Sequence, residues 1–493
     1  MTSSTSTTFT TLLPSRAGLN KAVPIPPLLR PVLRAYALGY ASAVAPRLLT
    51  LLLHHSGVWR RKLTGLHDGI QVPSSNETFV ASLWRILRGG LDPQRFPTFC
   101  AALVGGTTFF DVLVKRLIGR LKVQLSDVAR RRLSLWISSF IAGWLSLRLL
   151  QSKKTDAFAE TKTVDGEQQK ETVRYAGRTL DLTLFAATRA VDVVVGELWS
   201  RRRKRRVAAG KWSSLDSFIA KMADPSIFAT SCAFIMWAWF YAPSALPKSY
   251  TKWINSAAAV DTRLIEALRR CHTNELRYGE DTGQAPLLQS MCADYDWPLE
   301  WGDPATTIPF PCEIVHMGCG SSCEYHALSR FVRSFKWAMM TYLPLNLLAR
   351  RKTMAGVRRA GASALRSSSF LAAFITLFYY GVCLARTRIG PRILGRQTAA
   401  RQTIDAGVCV GCGCFLCGWS ILIEAASRRK DMALFVAPRA LATLFPRRYS
   451  LGKQWRETFV FASSAAVVFT CASENPEKVR GVLGGVLGGV LRP

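Results

Sequence analysis

Five thiol and imidazole side chains fall within fifteen residues, Cys312-Glu-Ile-Val-His316-Met-Gly-Cys319-Gly-Ser-Ser-Cys323-Glu-Tyr-His326. Thiolate and imidazole are the donors Zn2+ prefers, and it takes four of them in a tetrahedron. Cys312, His316, Cys323 and His326 are the four ligands this spacing offers, with Cys319 as the alternate. The ligand pairs sit closer together than in common zinc modules, so two other fates stay open. One is a disulfide from Cys319 to Cys323 or to Cys312, if the segment faces an oxidising space; the other is a set of unpaired thiols. Pro309 and Pro311 open the segment and Gly318 and Gly320 loosen it, which predicts a loop.

A second cysteine group, Cys409, Cys412, Cys414 and Cys417, looks like two CxxC pairs. It lies in an apolar run with Gly407, Gly411, Gly413 and Gly418 and has no histidine or charged ligand beside it. Small residues in such a run let helices approach closely, so helix packing is the reading for Gly411 and Gly418, and equally for Gly143. Gly481, Gly485 and Gly489 form a further small-residue ladder, in a segment too short to span a bilayer, which reads as a docking face or a flexible tail. Two arginines, Arg189 and Arg439, interrupt otherwise apolar segments. A cation at such a place faces the bundle interior or a polar cavity and needs a partner, or else it snorkels to the headgroups. Asp192 shares the helix face of Arg189, whereas Ala442 stands at the matching position beside Arg439.

The elements that position these groups are membrane helices. The chain has 493 residues, 49% of them hydrophobic, with 65 Lys and Arg against 32 Asp and Glu and a net charge of +33. That charge needs an anionic partner, and the apolar runs make it the membrane surface rather than nucleic acid. Spans are predicted at Phe96 to Val114, Leu133 to Gln151, Ser226 to Ala245, Ser367 to Ala385, Ile404 to Ile423 and Glu457 to Ser473. Arginine clusters at 130–132, 201–206, 350–352 and 428–430 flank them. Ala35 to Leu53 contains Pro46 and Arg47 and is read as lying on the membrane surface. The first acidic residue is Asp68; the stretch before it carries eight Lys or Arg and a Ser/Thr-rich start, a composition like that of organelle-targeting regions.

An internal repeat organises the spans. Phe140, Gly143, Trp144 and Leu147 recur as Phe415, Gly418, Trp419 and Leu422; Asp181, Leu184, Phe185, Ala187, Arg189 and Ala190 recur as Asp431, Leu434, Phe435, Ala437, Arg439 and Ala440. Phe228, Ala229, Ser231 and Ala233 recur in turn as Phe461, Ala462, Ser464 and Ala466. Three anchors in the same order define two four-helix units, and the first holds an extra polar loop, Ser152 to Arg178. The expected architecture is all-α and multi-pass. It comprises a basic amino-terminal region 1–90, a first membrane repeat 91–250, a linker 251–366 with the Cys/His-rich motif and an amphipathic helix, a second repeat 367–475, and a Gly-rich tail 476–493. Loop charges conflict over whether Phe331 to Ala349 crosses the membrane.

The central stretch, with Cys312, His316, Ser322, Cys323 and His326 followed by Phe331, Lys336, Tyr342, Pro344 and Arg350-Arg351-Lys352, resembles the cysteine-rich motif of the transmembrane protein 135 family. The flanking units are more distantly similar to the four-helix unit of the mitochondrial inner-membrane translocase and peroxisomal membrane protein superfamily. The resemblance implies a multi-pass protein of mitochondrial or peroxisomal membranes, tied to lipid metabolism, to peroxisome organisation and to the fission and fusion balance of mitochondria. It implies no enzymatic activity, and no phosphate-binding loop, HExxH or nucleophile elbow occurs in the chain.

Three function classes follow. The first is a lipid-handling protein or a translocase-like pore for anionic lipids, fatty acids or peptides, in which Arg189 and Arg439 line the cavity. The second is a scaffold for organelle-division machinery. The third is a metal- or redox-sensing membrane protein, with zinc as the candidate cofactor. The bilayer and its anionic lipids are the expected partners, and nucleic acid is not.

Overall fold

The structure is a computed structural model that describes residues 26, 29–55, 79–120, 125–163, 170–350 and 353–491. The targeting-like composition of the first 25 residues and the basic pair Arg351-Lys352 lie outside them. The described chain is almost entirely helical, an all-α multi-pass architecture. It divides into two units, Met1–Leu150 with Gly488–Pro493 and Gln151–Leu487, a boundary that falls inside the segment read as the first repeat.

Among the described residues, six helices are long and apolar enough to cross a membrane: Leu29–Leu52, Phe96–Arg120, Asp127–Gln151, Ser214–Tyr241, Met354–Ile393 and Thr398–Ile423. Five of them contain or overlap predicted spans. The sixth predicted span, Glu457 to Ser473, does form a helix, Gln454–Glu474. It is not among the candidates, because Arg456, Glu457 and Glu474 dilute its apolar run. Conversely, Leu29–Leu52 continues unbroken through Pro46 and qualifies by length, where the sequence suggested a surface-lying segment.

The first unit contains α1 (Leu29–His55), α2 (Phe79–Gly90), α3 (Phe96–Arg120) and α4 (Asp127–Gln151). Its crossings rest on small residues. A Cβ on Gly106 would stand 2.9 Å from the Ala142 Cβ, which ties α3 to α4. Ser134 adds a polar tie between the same helices, its hydroxyl donating to Asp111 Oδ1 at 2.6 Å.

The second unit begins with a surprise in the extra polar loop. Ala159–Thr163 (β1) and Lys170–Ala176 (β2) pair antiparallel, and Tyr449–Ser450 (β3) adds to β2. Alternating Thr, Val and Tyr in Lys-Glu-Thr-Val-Arg-Tyr-Ala carries the period of a strand, which composition alone concealed. Then come α5 (Leu180–Ala208) and α6 (Ser214–Tyr241). α6 starts in a capping box, with the Asp216 amide donating to Ser213 Oγ at 3.2 Å and the Ser213 amide donating to the Asp216 carboxylate at 3.1 Å. The central segment carries α7 (Lys248–Ala258), α8 (Thr262–His272), α9 (Ala285–Asp294) and the short α10 (Cys312–His316). α11 (Cys323–Arg350) and α12 (Met354–Leu384) follow. After them come α13 (Gly390–Ile393), α14 (Thr398–Thr403), α15 (Cys409–Cys417), α16 (Ala426–Ala442), α17 (Gln454–Glu474) and α18 (Val482–Leu491).

Two arrangements position the site. First, α11 and α12 form an antiparallel hairpin, with Asn346 Oδ1 accepting from Ser363 and Ser368 lying opposite Met339. The amphipathic α11, which includes Phe331 to Ala349, is not among the candidate spans. Second, the elements matching the repeat's last two helices pair reciprocally: α5 packs on α17, α16 packs on α6, and α5 and α16 pack on each other. Gly418 seats its segment on α6, since a Cβ there would come within 2.4 Å of the Ala229 Cα. Gly413 meets Gly381 of α12 in the same way, whereas Gly411 faces Trp237 at an ordinary 3.7 Å. Gly485 and Gly489 face open space, so in that ladder only Gly481 makes a close approach, against Asp431.

Two π-turns, Ala385–Ile389 and Ile404–Val408, carry the buried ion pair of the unit. Arg386 grips Asp405 with Nε to Oδ1 at 2.6 Å and Nη2 to Oδ2 at 2.9 Å, with side chains 4% and 1% exposed. The Tyr278 hydroxyl donates to Asp405 Oδ2 at 2.6 Å, and Arg386 Nη2 donates to the Phe310 carbonyl at 3.1 Å. Removing one partner strands the other charge, so Arg386→Ala is expected to cost about 3–5 kcal/mol of stability. Gly418→Val is expected to cost about 1–3 kcal/mol through overpacking. Gly452→Ala, which meets nothing within 4 Å, serves as the neutral control. Thermal unfolding of the detergent-purified variants checks the order, and an Arg386→Ala midpoint equal to wild type would contradict it.

Candidate metal centre

The Cys/His segment is not a loop. Pro311 precedes the single helical turn of α10, and Met317, Gly318 and Gly320 then take positive φ to reverse the chain. Ser322 accepts from the Tyr325 amide at 3.2 Å and so starts α11. Cys312 and His316 therefore lie at the two ends of one short helix, and Cys323 on the first turn of the next. Their ligand atoms all lie within 4.8 Å of one another, a group able to hold a metal ion.

The histidine is already oriented for that role. His316 Nδ1 lies 2.7 Å from the Gly320 carbonyl, which only accepts, so Nδ1 carries the proton and donates. Nε2 is then the bare nitrogen, 3.3 Å from the thiol sulfur of Cys383. Such a backbone hydrogen bond fixes the tautomer of a metal-binding imidazole. Burial lowers the His316 pKa, which favours the neutral ring, and burial raises that of the Cys312 thiol.

Of the four ligands the spacing offered, His326 is the one the structure sets apart. Its ring stacks flat on His316, centroids 4.5 Å apart, and meets the Tyr379 ring edge-on at 5.4 Å. It is fully buried, and among the described residues neither ring nitrogen has a hydrogen-bond partner. Burial, followed by the neighbouring His316 and Arg330, pushes its pKa down to about 3, so the ring is neutral. Cys319, the alternate, turns away toward Ser329, 3.8 Å off. Neither Cys312 nor Cys323 is bridged to it, and all three are free thiols. Sequence spacing missed Cys383 because it lies sixty residues from Cys323, on the far arm of the hairpin. Folding the chain about the turn between α11 and α12 is the signal that brings it back.

Beside this centre lies an apolar cavity of about 380 Å³. Its walls come from α6, α7, α11, α12 and α16, and include Trp239, Trp253, Phe374, Phe378 and Tyr379, with no charged side chain. Tyr379 belongs to both places. Its hydroxyl donates to the Ala258 carbonyl at 2.8 Å, and the Arg330 guanidinium covers its ring at 4.6 Å.

The two arginines of the repeat have separate fates. Arg439 lines a second cavity, of about 530 Å³, which shares Tyr250 and Phe435 with the apolar one. Its Nη1 donates to the Phe435 carbonyl at 2.8 Å. Asp181 lines the same cavity but is paired with Arg447 at 2.9 Å. Arg189 does not line either cavity. It is buried, with Nη1 donating to the Arg480 carbonyl at 3.2 Å and Nε without a partner among the described residues. Asp192, its expected partner, is taken by Arg480, which also reaches Asp224 at 3.2 Å. The tail residue outcompetes Arg189 because one guanidinium there serves two carboxylates.

No family model, no curated protein and no solved structure matches the chain.

The His326 ring keeps two buried nitrogens without partners, which costs about 1–3 kcal/mol. His326→Phe, of similar shape, is therefore expected to raise the thermal midpoint of the purified protein. A fall comparable to that of a core truncation would show that the ring has a partner in the working molecule.

Proposed function

We propose that this chain handles lipids within an organelle membrane, holding the acyl chain of an anionic lipid or fatty acid in the apolar cavity and its headgroup beside Arg439. The observation that carries this reading is the pairing of the two cavities. One is walled entirely by apolar and aromatic groups, and its neighbour across Tyr250 and Phe435 presents a guanidinium. Acyl methylenes gain about 0.8 kcal/mol each on leaving water, which gives an apolar recess of this size its pull. The guanidinium supplies the orientation, since it offers a forked donor to carboxylate or phosphate. Among the described residues no carboxylate forms a salt bridge with Arg439, so its charge is available to a ligand. The two-unit repeat and the resemblance to the transmembrane protein 135 family support the same reading, including a mitochondrial or peroxisomal membrane.

Zinc is the ion this reading assigns to the Cys312, His316 and Cys323 group, because two thiolates and an imidazole match its preferred donors. Its task would be structural: to hold the segment before α11 against the wall of the cavity.

Displacement of a fluorescent fatty acid from the protein in nanodiscs tests the lipid reading. Ala257→Phe, which fills the cavity, is expected to abolish binding. Arg439→Gln is expected to weaken an anionic probe about tenfold while leaving a neutral acyl ester unchanged, a loss of about 1.4 kcal/mol. Equal binding by wild type and both variants would sink the proposal.

A further inference from the structure

The hairpin of α11 and α12 returns the chain so that the end of α12 lies beside the first turn of α11. Cys383 sits on the last turn of α12, buried, with its thiol against His316 Nε2 at 3.3 Å and near enough to the Cys323 thiol for the two to feel each other's field. We propose that Cys383 is the fourth ligand of the metal centre, which is then a Cys312, His316, Cys323 and Cys383 zinc site. This inference rests on the metal reading above and completes it. The centre becomes a clip between the central segment and the end of a membrane-spanning helix.

The distances fit. Zinc–sulfur bonds of about 2.3 Å and zinc–nitrogen bonds of about 2.0–2.1 Å place the corners of a tetrahedron roughly 3.5–3.8 Å apart. Three of the four donors already lie within 4.8 Å of one another, and the fourth is at 3.3 Å from the imidazole nitrogen. The chemistry fits as well. Nε2 of His316 has a bare lone pair with only a thiol to meet, and a thiol is a weak hydrogen-bonding partner. Binding releases three thiol protons to solvent. Three thiolates and Zn2+ leave one net negative charge, and the guanidiniums of Arg330 and Arg386 are both near enough for their fields to reach His316. Next to Cys323 in sequence, Glu324 pairs with Arg388, and both side chains are about half exposed.

His326 is the competing ligand; its ring lies flat on the ring of His316, and it does not join the group whose donors lie within 4.8 Å of one another.

Cobalt is the probe, because thiolate-to-cobalt charge-transfer absorption scales with the number of coordinated sulfurs. Full-length protein, purified in detergent and stripped of metal, is titrated with Co2+ and then back-titrated with Zn2+. One equivalent is expected to bind, with the visible bands of a tetrahedral ion. Cys383→Ser is expected to lose roughly a third of the charge-transfer intensity, as one sulfur of three is removed. Cys319→Ser and His326→Phe are expected to keep the full spectrum. Cys383→His guards against simple misfolding: a ligand-competent replacement is expected to restore one equivalent of metal with the two-sulfur intensity. Cobalt uptake with a spectrum unaffected by Cys383→Ser overturns the fourth ligand and leaves the metal reading standing. No uptake at all overturns both. Neither result bears on the lipid reading, since metal stoichiometry is read without lipid.

Discussion

The bidentate contact between Arg386 and Asp405 is the constraint on which the second unit depends. Both side chains are out of water, at the ends of two helices that each open into a π-turn to reach the other. A π-turn carries one residue more per turn than an α-helix, and so shifts which side chains face inward. The pair is expensive to bury and is stabilised only because its remaining hydrogen-bonding capacity is met. Tyr278 and the Phe310 carbonyl meet it, and both belong to the central segment between the repeats. An ion pair within the helical bundle therefore also fastens the segment that carries α10. Cys312 follows Phe310 by two residues, so the pair sets where the metal ligands begin.

The same logic of long-range closure runs through the α11–α12 hairpin. Three candidate ligands, Cys312, His316 and Cys323, are near in sequence because α10 and the turn after it are short, while the third thiol beside His316 comes from the end of α12. A helix hairpin converts distance along the chain into proximity at its open end, and the Asn346–Ser363 hydrogen bond near the turn fixes its register. Tyr379, one helical turn before Cys383, lines the apolar cavity from the same helix. Metal centre and cavity wall are thus one turn of helix apart, and a force that orders one orders the other.

What was legible in the sequence follows the range of each signal. Apolar length is local, so five spans could be read directly, while Gln454–Glu474 forms a helix whose apolar run is diluted by Arg456, Glu457 and Glu474. Small residues at crossings were legible in kind but not in position: Gly418 makes the contact expected of it, while Gly413, with Gly381 across from it, makes the one expected of Gly411. Cys312, His316 and Cys323 were legible because they cluster in sequence, and Cys383 was not, because nothing local marks it. His326 does not join that group. Its spacing from Cys323 would serve a helical pair of ligands, but the first turn of α11 is oriented by the Ser322 cap, and that orientation lays its ring on His316.

The arginines show why a repeated residue need not have a repeated role. Arg189 and Arg439 occupy matching places in elements that pack on each other, yet their surroundings differ because the tail follows only the second copy. The tail brings Arg480 and Gly481 against α5, where Gly481 takes a positive φ and leaves no room for a side chain beside Asp431. Arg480 then satisfies Asp192 and Asp224, and Arg189 is sealed beneath its carbonyl with Phe185 over its guanidinium. Burial lowers the Arg189 pKa, and the fields of Asp192 and Asp431 oppose that effect. The tail meets α16 only near Asp431, and Arg439 stays at a cavity with aromatic rings on two sides. Of the two arginines at matching positions in the sequence, Arg189 is capped and Arg439 keeps its guanidinium at the cavity beside the apolar recess. That asymmetry is what gives the pair of cavities a polar end and an apolar end, the two requirements of a site for an amphipathic ligand.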